Sequence, residues 1–349
     1  FRELLHGERR DLHAASVNKK PIGVGIVGLG FMGRTHLGAY AACANDPASA
    51  RVLALCDPHM RAAAAGNLVT AGGNDALLNS IPHEPSFDAL LARPDIELVS
   101  ICTPTDSHVK LARAAIAAGK HVLIEKPTAL DPDEIDALGR EATAAGVLAM
   151  PAHCMRFWPA WTWMANAVKS NQFGAARRAS FRRMGARPSW SQAFYLDTAR
   201  SGGAIIDLHI HDADFVRFAF GEPDALEATG NRMHVEARYR YQSGLVIEAE
   251  GAWMDDPAFA FMMVATIECE RAIIDFRLGR EPELFVIENG SQRAIVAGVD
   301  FPQGNGYEHE VRALLTAISA GATTPPVSLS DAAQTQRLLN QELVTLRNQ

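Results

Sequence analysis

The stretch SGGAIIDLHIHDAD, residues 201–214, sets three aspartates and two histidines into the eight positions from Asp207 to Asp214. Such residues can bind a metal, move a proton, or simply start a polar helix. The glycine pair 202–203 followed by an apolar run predicts a helix beginning near 203–205. Successive helical residues turn by about 100°. Asp207, His211 and Asp214 then share one face at i, i+4 and i+7, while His209 and Asp212 fall together on another. His209 and His211 could hold zinc as an H-x-H pair on a strand, but on a helix they diverge, so no metal is expected. Asp207 and His211 sit one turn apart. A carboxylate that orients an imidazole raises its basicity, which suits removal of a proton from an alcohol.

A second stretch offers a binding loop. Gly28-Leu29-Gly30-Phe31-Met32-Gly33 forms a G-x-G-x-x-G between the apolar run IGVGIVGL (22–29) and the helical run FMGRTHLGAYAACA. In that position the pattern is a dinucleotide loop. Gly28 permits the tight turn, Gly30 the approach of a pyrophosphate, and Gly33 close packing of helix on strand, with the helix N-terminus facing the anion. Asp57 ends the next strand, RVLALCD, 24 residues past Gly33. A carboxylate there accepts the ribose hydroxyls of NAD and repels the 2′-phosphate of NADP. The nearest downstream arginine is Arg61. NAD is therefore the expected cofactor, with NADP the alternative.

The elements that must position these groups alternate strand and helix through residue 152. IELVSICTP, KHVLIEKP and VLAMPAH read as buried strands, and PHMRAAAAGNLV (from Pro58), SFDALLA, SHVKLARAAIAAG and DPDEIDALGREATAAG as helices. This predicts a doubly wound α/β unit over 21–152 with a mostly parallel sheet, whose strand ends bind ligands. From 153 to 349 the texture changes. Tryptophans 158, 161, 163 and 190 gather, and later segments alternate between turn signals as antiparallel strands do. The chain then returns to helix, with Ser328 or Ser330 as a cap, and the terminal helix is expected to pack back on the first domain. Residues 1–20 read as a polar extension.

Composition sets the outer bounds. The 349 residues carry a net charge of −7 and no long basic run, which argues against nucleic-acid or membrane-surface binding. No apolar run is long enough to cross a bilayer. Arg9-Arg10 lacks the apolar run of a twin-arginine signal. The five scattered cysteines include no CxxC pair and read as reduced thiols of a cytoplasmic protein.

GRTHLGAY after the glycine loop, CTPTDSH, GKHVLIEKP and SGGAIIDLHIHDAD stand in an order and spacing that resemble the Gfo/Idh/MocA family of nicotinamide-dependent oxidoreductases, over roughly residues 20–345. The resemblance implies a Rossmann domain followed by an α+β domain with a large open, mostly antiparallel sheet. It also implies a homodimer or homotetramer built through that sheet, and oxidation of a secondary alcohol on a sugar, inositol or related polyol. By position, Thr103, Pro104 and His108 would line the cofactor cleft, and Glu125 and Lys126 would lie by the nicotinamide, with a cis bond before Pro127 as one option. Asp207 and His211 would be the active-site acid and histidine. His209 departs from the glycine of many members. On this reading His211 takes the hydroxyl proton, Lys126 stabilises the alkoxide, and Asp207 orients His211 or binds a neighbouring hydroxyl; Lys126 is the alternative proton acceptor.

At the domain junction, His153 and Arg156 are candidate substrate ligands, Arg156 equally a structural ion pair. Tyr195 and Arg200 could close over substrate. The tryptophans fit a core better than a sugar platform, and His36 fits either helix packing or cofactor contact. Two other functions compete: a glycoside hydrolase or lyase with resident NAD, and a non-catalytic nucleotide sensor.

Overall fold

The structure is a computed structural model that describes residues 20–58, 75–189 and 192–347. Five strands, β1 (Ile22–Val27), β2 (Ala50–Cys56), β3 (Leu98–Ile101), β4 (His121–Glu125) and β5 (Ala149–Ala152), form a parallel sheet in the order 2-1-3-4-5. Helices α1 (Phe31–Ala42), α2 (Asp75–Ser80), α3 (Phe87–Leu91), α4 (Thr105–Ala117) and α5 (Pro132–Ala145) accompany it. All six residues of β1 are buried, as a strand covered on both faces must be. Ser86 caps α3 by accepting from the Ala89 N–H at 3.1 Å, and Asp131 caps α5.

A 3-10 turn (Cys154–Arg156) and α6 (Pro159–Lys169) lead into an eight-stranded sheet. Its strands are β6 (Ala176–Ala186), β7 (Ala225–Asn231), β8 (His234–Arg240), β9 (Val246–Met254), β10 (Met262–Cys269), β11 (Ala272–Arg277), β12 (Leu284–Glu288) and β13 (Ser291–Ile295), in the order 13-12-11-10-6-9-8-7. All neighbours run antiparallel except β6 and β9, which are parallel. The antiparallel expectation for β6 thus holds on its β10 side only. Along β8, Val235, Ala237 and Tyr239 are buried while Glu236, Arg238 and Arg240 face outward.

Four short or medium helices intervene between β6 and β7: α7 (Gln192–Tyr195), α8 (Thr198–Ser201), α9 (Ala204–Asp207) and α10 (Ile210–Phe220). The inner face of the large sheet packs against α6 and α10 around Trp161, which is fully buried and meets Phe215 and Phe276 edge-on at 4.7 and 5.5 Å. Trp161 is therefore core; Trp158 and Trp163 are half-buried against the same core. The chain ends with α11 (Gly306–Ser319) and α12 (Leu329–Arg347). Ser328 supplies the cap, accepting from Asp331 N–H at 3.1 Å. Both helices return to the first sheet: α11 through Val311, Leu314 and Leu315, and α12 through Leu329, Ala332 and Ala333. Arg337 then ties α12 to Asp133 and Asp136 on α5. Residues 1–19, Trp190 and most of the expected helix after Pro58, Arg61 included, lie outside the described residues.

Candidate active site

The glycine loop is shaped by what its residues lack. Gly28 has φ +85, and a Cβ there would stand 2.7 Å from the Cys102 carbonyl oxygen. A Cβ on Gly33 would stand 1.9 Å from the Gly28 oxygen, so α1 approaches the loop only because position 33 has no side chain. Gly30, by contrast, has nothing within 4 Å and opens the N-terminus of α1 to a ligand. Phe31 is buried and Met32 half-buried in the first turn. At the end of β2 the Asp57 carboxylate accepts the Leu29 N–H at 2.7 Å, which places it beside the loop. This combination of close packing, open helix terminus and adjacent carboxylate fits a dinucleotide.

The second element is the turn after β4. Glu125 is buried and both its oxygens are engaged: His36 Nε2 lies 2.9 Å from Oε1, and the Lys126 backbone N–H donates to Oε2 at 3.1 Å. His36 Nδ1 in turn meets Ser100 Oγ at 2.7 Å. Burial opposes the charge on both partners. For His36, the neighbouring Cys102 sulfur and Glu125 outweigh it and hold the imidazole well above its usual value. For Glu125, His36 outweighs it and the carboxyl is held low. The Lys126–Pro127 bond is cis. His108 is also buried, with its ring nitrogens 2.9 Å from Pro127 O and 2.7 Å from Thr103 O. Burial lowers its pKa. Glu125 and His108, expected to face the cofactor, thus turn their polar atoms into the protein and brace the turn. Thr103 is half-buried and accepts from Ser107 Oγ at 2.7 Å, and Pro104 is the exposed N-cap of α4.

The third element is the aspartate–histidine cluster. It does not lie on one helix. α9 ends at Asp207, the His209 N–H reaches back five residues to Ala204 O at 2.9 Å, and α10 starts at Ile210. That wide turn changes the register, and no Asp207–His211 hydrogen bond exists among the described residues. Asp207 instead receives Lys126 Nζ, at 2.6 Å on its carbonyl and 3.1 Å on Oδ1. His209 is fully buried, its Nε2 3.2 Å from Tyr239 Oη and 3.3 Å from Glu342 Oε2. Asp212 is gripped by Arg183 at 2.9 and 3.0 Å. Asp214 receives Arg156 at 2.7 and 2.8 Å, Thr335 Oγ1 at 2.9 Å and His153 Nδ1 at 3.3 Å. Burial alone would raise the Asp214 pKa, but Arg156 and His153 hold it well below the carboxylate range.

His211 is the member left over. It is half-buried and has no side-chain hydrogen-bond partner among the described residues. Burial, then the nearby charges of Lys126, Arg183 and His153, push its pKa well below 6.5, so the ring is neutral near pH 7. Lys126 and Asp207 therefore meet directly, while His211, four residues past Asp207 in the first turn of α10, makes no hydrogen bond to either and feels the Lys126 charge only through the lowering of its pKa. Arg156 does not join them as a free ligand: its guanidinium is filled by Asp214 and Asp331. His153 is buried behind it. Tyr195 packs edge-on against Phe194 and Trp253, each at 5.2 Å. Arg200 pairs with Asp106 on the surface, joining α8 to α4. The sequence reading missed Arg183, Tyr239, Glu342 and the His36–Glu125 contact. Their sequence neighbours give no signal, since Tyr239 lies between Arg238 and Arg240 and Arg183 follows Arg182.

A parallel sheet with a glycine loop shaped for a dinucleotide precedes an open sheet whose helices carry a lysine-facing aspartate and a neutral histidine, the layout of a dinucleotide-binding protein with a second, sheet-built unit. Family profiles agree: residues 22–153 match the oxidoreductase family with an NAD-binding Rossmann fold, and 161–271 match the GFO/IDH/MocA C-terminal domain. The chain belongs to the Gfo/Idh/MocA family, and its first domain carries that family's NAD-binding Rossmann fold. It is similar to inositol 2-dehydrogenase of Rhizobium meliloti (strain 1021), 32% identical over 59% of this chain and 57% of that one. It is also similar to UDP-N-acetylglucosamine 3-dehydrogenase of Acidithiobacillus ferrooxidans, 33% identical over 59% and 57%. The matches thus span somewhat more than half the length of these relatives. Among solved structures, a levoglucosan dehydrogenase complexed with NADH and levoglucosan shares the fold, with TM-score 0.80, 22% identity, and coverage of 94% of this chain and 98% of that one. No described helix is long and apolar enough to cross a membrane.

Proposed function

We propose that the protein transfers a hydride between a secondary alcohol of a sugar, inositol or related polyol and NAD. The observation that carries this is Lys126, just past β4, held by Asp207, with His211 four residues further along at the start of α10, neutral and without a hydrogen-bond partner among the described residues. Bound NAD would be held by the Gly28–Gly33 loop and Asp57, with Thr103 and Pro104 along the cleft, and would accept the hydride at its nicotinamide. The protein's part is to handle the alcohol. Lys126 Nζ, fixed by two contacts to Asp207, donates to the substrate oxygen and stabilises developing alkoxide. His211 arrives neutral and takes the hydroxyl proton. The cations that depress its pKa also favour the alkoxide. The 21–152 and 153–349 division would place the cofactor on the first domain and the substrate between the two. The outward face of the eight-stranded sheet would form a homodimer or homotetramer, and the unpaired thiols suit a cytoplasmic enzyme.

The test is NADH absorbance from purified protein, NAD and a panel of inositols, aldoses and their derivatives. A rise with one class supports the reading, and His211→Ala should lower turnover at least about a hundredfold with NAD affinity kept. Unchanged turnover removes His211 from the chemistry. No NADH across the panel, with NAD found bound, favours a resident-cofactor hydrolase or a sensor.

A further inference from the structure

On the outward face of the large sheet, charges meet in rungs across β8 and β9. Arg238 stands opposite Glu248 and donates to it at 2.6 Å. Arg240 reaches the other way, to Glu227 of β7 at 3.3 Å. The next rung breaks the pattern: Glu236 stands directly opposite Glu250. Two carboxylates facing each other across antiparallel strands repel. Arg182 of β6 answers only part of this, by donating to Glu250 Oε2 at 2.6 Å. Glu236 accepts no hydrogen bond among the described residues; the group nearest its carboxylate is the His234 imidazole, two residues earlier on the same face of β8. His234 Nε2 lies 2.9 Å from Glu250 Oε1 and 4.0 Å from Glu236 Oε1.

We propose that His234, Glu236 and Glu250 form a binding site for a divalent transition-metal ion of the zinc type, on the face of the sheet opposite α10. One ligand atom from each residue, an imidazole nitrogen and two carboxylate oxygens, lies within 4.8 Å of both others. Ligand atoms about 2.1 Å from a tetrahedral ion stand about 3.4 Å from one another. The two separations from His234, 2.9 and 4.0 Å, bracket that value. The imidazole selects zinc, cobalt or nickel over magnesium or calcium. The three residues project from paired strands and not from a loop. His234 closes the β7–β8 hairpin, where its N–H donates to Asn231 Oδ1 at 3.2 Å, and Glu236 and Glu250 are a cross-strand pair. Arg182, on the second oxygen of Glu250, orients that ligand as outer partners do at metal sites. The side chains of His234, Glu236 and Glu250 are 43%, 63% and 19% exposed, which leaves a fourth position open to water. An ion held there cancels the repulsion between Glu236 and Glu250 and ties β8 to β9. The inner face of the sheet carries α6 and α10, so the ion stands apart from His211 and takes no part in its chemistry.

The experiment uses the whole chain, without a tag and stripped of metal by a chelator. It is titrated with Zn²⁺ by calorimetry and with Co²⁺ by visible absorption. The wild type should take one ion that His234→Ala and Glu236→Gln each weaken at least about tenfold. The Co²⁺ spectrum should show nitrogen and oxygen ligands, with no thiolate charge-transfer band. Zn²⁺ should raise the melting temperature of the wild type and leave that of the His234→Ala/Glu236→Gln double variant unmoved. Glu236→Lys sets an ammonium opposite Glu250, so it should bind no ion at this site and melt no lower than the metal-free wild type. No binding by the wild type overturns the proposal. So does binding of equal strength in the variants, or a thiolate band, either of which assigns the ion to other residues. A Glu236→Lys protein that melts below the metal-free wild type overturns it as well, because the facing carboxylates then call for no cation.

Discussion

His36 is the residue whose removal should reach furthest from where it stands. It is fully buried on α1, and its Nε2 lies 2.9 Å from a Glu125 oxygen. His36→Leu keeps comparable apolar bulk but leaves the Glu125 carboxylate, 7% exposed at its side chain, without its cation. Breaking a buried pair by removing one partner costs about 3–5 kcal/mol. At about 2–4 °C per kcal/mol, the melting temperature should fall by about 6–20 °C. The second oxygen of Glu125 holds the Lys126 N–H, so the turn that aims Lys126 loosens as well. Turnover should drop about tenfold to a hundredfold while KM for NAD stays within about twofold. The pH dependence has a defined sign. His36, raised above 6.5, contributes stability that is fully present below pH 6.5 and lost as pH rises through its folded value. Glu125, lowered below 4.5, contributes stability present above pH 4.5 and lost as pH falls through its folded value. The stability gap between wild type and His36→Leu should therefore be widest between pH 4.5 and 6.5 and shrink on the alkaline side. Calorimetry across pH checks this. A loss under about 1 kcal/mol, or a His36→Leu/Glu125→Leu double variant as unstable as the single one, would refute the charge-pair account in favour of simple packing.

Two further outcomes are expected. Arg183→Met strands Asp212 and should cost about 3–5 kcal/mol, most of it regained in Arg183→Met/Asp212→Leu; because the Arg183 charge depresses His211, the acid limb of kcat/KM should also move to higher pH, and an unmoved limb would take His211 out of the titration. Asp57→Asn keeps an oxygen for the Leu29 N–H but loses the charge, so the preference for NAD over NADP should fall about tenfold in steady-state kinetics, and an unchanged ratio would assign the preference elsewhere.

What could be read from the sequence was whatever one segment decides alone. Gly28 and Gly33 are dictated by backbone contacts within the loop and its neighbouring strand, so the motif carried its own geometry. The cluster did not, because its partners come from afar: Arg183 from β6, and Tyr239 and Glu342 from β8 and α12. The parallel pairing of β6 with β9 was equally hidden, since alternation reports which face is buried and not which way the neighbour runs. The break between α9 and α10 has no glycine or proline to announce it. At that break His209 packs directly on β9 at Gly251, and a Cβ on Gly251 would stand 2.7 Å from the Cβ of His209 and 3.2 Å from its ring. His209 and Gly251 thus form one feature, a ring on one element seated where the other has no side chain. Gly251→Ala should push His209 off its contacts with Tyr239 and Glu342, at about 1–3 kcal/mol. The displacement would travel along the chain to Asp207 and His211, two residues to either side, so turnover should fall while cofactor affinity holds. Trimming the ring in Gly251→Ala/His209→Ala removes the clash and should restore part of the turnover. A double variant slower than Gly251→Ala would show that His209 itself, through Tyr239 and Glu342, holds Asp207 and His211 in place.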